Sequence, residues 1–77
     1  MKEKIIEILT ELRPEFDFTQ TGVNFIEEGM IDSFDMVSLV DELEEQFNIK
    51  IDGVDVIADN FSTVDNIATL LKKSGVA

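Results

Sequence analysis

The sequence contains no cysteine and no histidine. The first absence excludes disulfides and any thiol chemistry supplied by the chain itself. The second removes the commonest general base and the commonest metal ligand. Together they exclude Ser/His/Asp and Cys/His nucleophilic sets. A glycine-rich phosphate loop is missing as well. No apolar run approaches the roughly 18 residues of a membrane span, and the N-terminus shows no signal-peptide core. A soluble, cytoplasmic, monomeric protein is expected.

Positive charge is scarce. Six Lys and Arg stand against seventeen Asp and Glu, for a formal net charge of −11. Between Arg13 and Lys50 there is no base at all, while that interval holds ten acids. Nucleic acid and anionic membrane are therefore poor partners. A basic patch on another protein is a good one. The 77 residues are expected to form one domain, residues 1–77. A domain this small buries only about 60% of its unfolded surface, so its stability should be marginal.

What is present reads as helix. Lys2 to Leu12 places Ile5, Ile8, Leu9 and Leu12 on one face, and Pro14 ends that helix near Arg13. A long loop, Pro14 to Ile31, follows. Its apolar residues Phe16, Phe18, Val23, Phe25, Ile26 and Ile31 predict a loop pinned to the body, with Thr19 to Gly22 as the exposed tip. The second helix carries Met36, Leu39, Val40, Leu43 and Phe47 as its buried stripe and ends at Asn48. Ile49 and Ile51 read as an extended connector packed inward. Val54 to Asp59 reads as a short third helix that buries Val56 and Ile57. Ser62 or Thr63 caps the last helix, whose stripe is Val64, Ile67, Ala68 and Leu71 with Leu70 beside it. The expected fold is all-α: a small bundle of three main helices plus one short helix, with a long first loop.

The stretch Glu28-Gly29-Met30-Ile31-Asp32-Ser33-Phe34-Asp35 is the chemical centre of the sequence. Asp32 can cap the second helix, and Asp35 three residues later suits a capping box. With the cap supplied by Asp32, the Ser33 hydroxyl is left free in the first turn. Phe34, Ser38, Asp41 and Glu45 fall opposite the apolar stripe, with Val37 on a flank. A large exposed apolar residue beside a hydroxyl marks a docking surface. Ser33 has no base beside it except Asp32 and Asp35, and carboxylates on a solvated helix face should titrate normally. Its activation must then come from another enzyme. No catalytic residue is expected in this chain. Asp52, Asp55 and Asp59 lack calcium-loop spacing, and no specific metal site is expected.

Gly29-Met30-Ile31-Asp32-Ser33-Phe34-Asp35, followed by Leu39, Leu43-Glu44-Glu45 and Phe47, resembles the modification site and second helix of the acyl carrier protein family. The resemblance spans nearly the whole chain. It implies that Ser33 bears a 4′-phosphopantetheine arm, taken from coenzyme A, with Asp32 beside it. The thiol of that arm would hold an acyl or aminoacyl group as a thioester. A phosphopantetheinyl transferase would attach the arm, and an acyl- or aminoacyl-activating ligase or synthase would load it. Basic residues of those enzymes would meet Asp35, Asp41 and Glu45 beside Ser38, and an apolar pocket would meet Phe34 and Val37. Fatty-acid carriers usually place Leu where this chain has Phe34, and an apolar residue where it has Asp41. Carriers of D-alanine often show a run like Glu28 to Ser33. The cargo therefore stays open between fatty-acid, polyketide or nonribosomal, and D-alanyl pathways. The competing class is an unmodified acidic helical protein-interaction module in which Ser33 is only a cap.

If self-repulsion among the acids limits stability, millimolar Mg²⁺ or moderate salt raises the melting temperature. Thermal unfolding followed by circular dichroism checks this, and an unchanged midpoint would show that the acids are too dispersed to matter.

Overall fold

A computed structural model describes residues 1–76. It contains helices α1 (Lys2–Leu12), α2 (Ser33–Phe47) and α3 (Val64–Lys73). Two short 3-10 helices, Gly53–Asp55 and Ala58–Phe61, lie between α2 and α3. Among the described residues there is no strand, and no helix is long and apolar enough to cross a membrane.

Each α-helix turns its expected stripe inward. Ile5, Ile8 and Leu9 of α1, Leu39 and Leu43 of α2, and Ile67, Ala68, Leu70 and Leu71 of α3 form one buried cluster. Phe61, from the second 3-10 helix, is fully enclosed in it. The first helix stops where proline demands. Arg13 leaves the helical region while its N–H still donates to Leu9 O. Asn48 ends α2 in the left-handed conformation, at φ 53°. At the end of α3, Gly75 adopts φ 111°, and Val76 N–H reaches back to Leu71 O at 2.9 Å. Ser74 N–H reaches the same carbonyl at 3.1 Å, so the turn after α3 closes on the last turn of the helix.

The long loop is pinned, as its apolar content predicts. Phe18, Phe25, Met30 and Ile31 are buried, and Thr19 to Gly22 are exposed. Phe18 packs edge-on against Phe25 with ring centroids 5.0 Å apart, and Phe16 packs edge-on against Phe18. The backbone of Phe25 ties the loop on both sides. Its N–H donates to Ser62 O at 2.7 Å, and its carbonyl accepts from Met30 at 2.9 Å and Ile31 at 3.2 Å. Gly29 takes φ 73°, a left-handed conformation that lets the chain fold back just before the head of α2. The loop thus delivers residues 30–32 to a fixed place.

Thr63, rather than Ser62, is the cap of α3, accepting from Asn66 N–H at 3.0 Å. Ser62 is buried and donates instead to Asp59 O. The segment Val54–Asp59 does not form the single short helix that its sequence predicts. Three of its residues, Val54, Val56 and Ile57, are β-branched, which disfavours α-helix. The chain makes two 3-10 turns instead, with Ile57 extended between them at φ −129° and ψ 154°. Val56 is half-buried as expected, but Ile57 is 51% exposed.

These placements separate two apolar residues by consequence. Phe61→Ala should cost about 3–5 kcal/mol. Ile57→Ala should stay within about 0.5 kcal/mol of the wild type. Urea unfolding of both variants measures the contrast, and an equal cost would contradict the exposure of Ile57.

Candidate functional site

The head of α2 is held by reciprocal bonds. Asp32 is the N-cap, and its Oδ1 accepts from Asp35 N–H at 2.9 Å. Asp35 Oδ2 accepts in return from Asp32 N–H at 3.1 Å. This is the capping box expected from the spacing, with Asp in place of the usual Glu. Both acids also lie at the positive end of the helix dipole.

A third residue completes the arrangement. Arg13, just past the end of α1, donates Nε–H to Asp35 Oδ2 at 2.9 Å. Its Nη2 lies 2.9 Å from the same oxygen and 3.6 Å from Asp32 Oδ2. Its Nη1 lies 3.4 Å from Glu15 Oε2. Burial works to raise the pKa of Asp35. The hydrogen bonds from Arg13 and Asp32 and the charge of Arg13 outweigh it, and hold the carboxyl below its usual value. Asp35 therefore does not titrate as an ordinary surface carboxylate.

Ser33 is the first residue of α2 and is exposed. Because Asp32 and Asp35 satisfy the cap between them, no hydrogen bond among the described residues engages the Ser33 hydroxyl. A free primary alcohol thus stands on a rigid turn, open to solvent. Phe34 beside it is 85% exposed, and Val37 one turn on is 62% exposed. Ser38, Asp41 and Glu45 continue the same open side of the helix.

Asp35 is the exception among the residues grouped as a docking face. It is only 8% exposed, and its Oδ2 is taken by Arg13 and by Asp32 N–H, so it is the least accessible of these residues. Helical arithmetic holds the signal for this. Asp35 precedes Leu39 and Leu43 by four and eight residues, which puts it on the inward face. Arg13 was not singled out from sequence. The one pointer to it is that no other base lies between Lys4 and Lys50.

Comparison with known proteins bears on this geometry. Residues 14–71 match the family described as "Phosphopantetheine attachment site". The chain is 35% identical over 75 residues to an acyl carrier protein of Bdellovibrio bacteriovorus, covering 96% of this chain and 94% of that protein. It is 31% identical over 72 residues to a D-alanyl carrier protein of Listeria welshimeri, covering 92% of each. It is 33% identical over 67 residues to a D-alanyl carrier protein of Leuconostoc mesenteroides, covering 87% of this chain and 86% of that protein.

The Asp35 bonds predict a pH dependence with a definite sign. A carboxyl with a lowered folded-state pKa adds stability above its unfolded value of about 3.9, and that stability is lost as pH falls through the folded value. Denaturant midpoints should therefore drop in acid, and Asp35→Asn should flatten that drop. Asp35→Ala should cost about 1–3 kcal/mol at neutral pH, because it removes one half of the cap and leaves Asp32 N–H unpaired. Urea titrations of these variants from about pH 3 to about pH 7 measure both effects. Wild-type midpoints for Asp35→Ala would contradict the bonding described.

Proposed function

The chain belongs to the phosphopantetheine-attachment family of carrier proteins, and from that membership we propose that Ser33 is the residue that carries the prosthetic group. The cofactor of such a carrier is covalently bound 4′-phosphopantetheine. When bound, it supplies the thiol that this cysteine-free chain lacks, and that thiol holds the cargo as a thioester. The observation that supports Ser33 most strongly is its free hydroxyl. It lies within the matched stretch 14–71, exposed at the first position of α2, with the capping duty carried by its neighbours.

The roles of the surrounding residues follow from their positions. Asp32 and Asp35 fix the turn, and Arg13 holds Asp35. Ser33 Oγ forms the new bond to phosphorus of coenzyme A, and the nucleotide portion leaves. The base that takes the hydroxyl proton belongs to the transferase, because the chain has no histidine, Asp35 is committed to Arg13 and Asp32 caps the helix through the Asp35 N–H. Phe34 and Val37 enter an apolar pocket of each partner enzyme, while Ser38, Asp41 and Glu45 meet its polar and basic groups. The partners are a phosphopantetheinyl transferase and a ligase or synthase that loads an acyl or aminoacyl group. The protein acts as a substrate and shuttle rather than an enzyme, as a monomeric single domain in the cytoplasm. Contacts of this polar, acidic kind are fast, weak and salt-sensitive, which suits a carrier that must leave each partner.

Incubation with coenzyme A and a broad-specificity phosphopantetheinyl transferase should add one phosphopantetheine mass to the intact chain. Ser33→Ala should abolish the gain while changing stability by no more than about 1 kcal/mol. No gain in the wild type, with a transferase active on another carrier, would contradict the reading and favour an unmodified binding module.

A further inference from the structure

The clamp at the head of α2 depends on a residue from another helix. Arg13 stands at the end of α1, 22 positions before Asp35. Its backbone is fixed independently of its side chain. The N–H donates to Leu9 O at 2.9 Å, the carbonyl accepts from Phe16 N–H at 3.2 Å, and Pro14 follows directly. From that fixed backbone the guanidinium reaches across to the head of α2. It faces three carboxylates, Asp35 at 2.9 Å, Glu15 at 3.4 Å and Asp32 at 3.6 Å. No other base lies between Lys4 and Lys50 in the sequence.

Resting on the reading of Ser33 as the attachment site, we propose that Arg13 is a positioning residue for its modification. It acts through Asp35. Two donors converge on the single oxygen Asp35 Oδ2, Arg13 Nε–H and Asp32 N–H, and the charged Arg13 Nη2 lies 2.9 Å from it. Remove the guanidinium, and a nearly enclosed carboxylate loses its counter-charge. It must then take up a proton or turn out to water. Either change weakens the acceptor of Asp32 N–H and loosens the turn between Asp32 and Asp35, where Ser33 sits. The angle between α1 and the head of α2 is then no longer fixed at this point. Transfer to Ser33 Oγ requires the oxygen within roughly 3–3.5 Å of the phosphorus and in line with the bond that breaks. A loosened turn meets that requirement less often, although the enzyme can still bind the open face of α2 normally.

This separates a positioning role from a merely structural one. A structural role lowers the melting temperature and nothing else. A positioning role lowers kcat for transfer, with the carrier as substrate, and leaves KM nearly unchanged. The experiment compares the wild type with Arg13→Gln, Arg13→Lys and Val64→Ala. Val64 is a half-buried residue of α3 and serves as a stability control. Initial rates of transfer from coenzyme A are read by intact mass at a temperature well below the lowest midpoint. Arg13→Gln should lose at least about tenfold in kcat, with KM changed by less than about twofold. Arg13→Lys should recover part of the loss, since it keeps the charge but not the planar fork. Val64→Ala should melt earlier yet keep the wild-type kcat. Amide exchange at Asp35 and Met36 should quicken in Arg13→Gln and not in Val64→Ala.

Wild-type kcat in Arg13→Gln, or an equal loss in Val64→Ala, would overturn the inference. If Arg13→Gln does not fold, Arg13→Lys decides, and unchanged kcat there would overturn it. Transfer to the wild type with no effect of Arg13 leaves the Ser33 reading standing. No transfer to the wild type removes both.

Discussion

The ion pair between Arg13 and Asp35 is the contact on which the functional end of the molecule depends. A carboxylate as enclosed as Asp35 is expensive to bury without a counter-charge. Arg13 supplies that charge from a different helix, and so couples the end of α1 to the beginning of α2. The same carboxylate closes the capping box with Asp32. Because two acids and one base satisfy the first turn among themselves, the serine between them has no structural duty. The Ser33 hydroxyl is thereby exposed and yet held on a fixed backbone.

Beyond its first turn, α2 divides its labour by face. Asp35, Leu39 and Leu43 point inward at four-residue intervals. Phe34, Val37, Ser38, Asp41 and Glu45 remain in water. The outward face combines two large apolar residues with two acids, in an interval that holds no base between Arg13 and Lys50. On the proposed reading, such a face would attract basic partners at long range and release them readily once salt screens the charge. The carrier family to which the chain belongs needs this behaviour, and it needs a thiol that only the bound cofactor can bring.

Much of this was legible from local pattern. The three α-helices follow from apolar spacing, and Pro14 and Asn48 mark two of their ends. The Asp32–Asp35 box is a short-range motif, so four residues suffice to predict it. The loop carrying Phe18 and Phe25 was readable because so many apolar residues cannot be left in water. Two things were not legible, for different reasons. The Val54–Asp59 segment mixes β-branched residues with turn-formers, and only tertiary contacts decide among short helical forms. The Arg13–Asp35 pair is a contact between elements far apart in sequence, and no local pattern encodes it. Charge alone groups Asp35 with the exposed acids, whereas its spacing from Leu39 and Leu43 puts it on the buried side.

On the proposed reading, one hydroxyl, at the first position of α2, is presented for modification while the others are not. Cleavage after lysine gives a fragment spanning residues 5–50, which holds Ser33 together with Ser38, Thr10, Thr19 and Thr21. The most direct measurement is tandem mass spectrometry of that fragment after transfer from coenzyme A. The phosphopantetheine mass is expected on Ser33 alone. The same mass on Ser38 or on a threonine would contradict it.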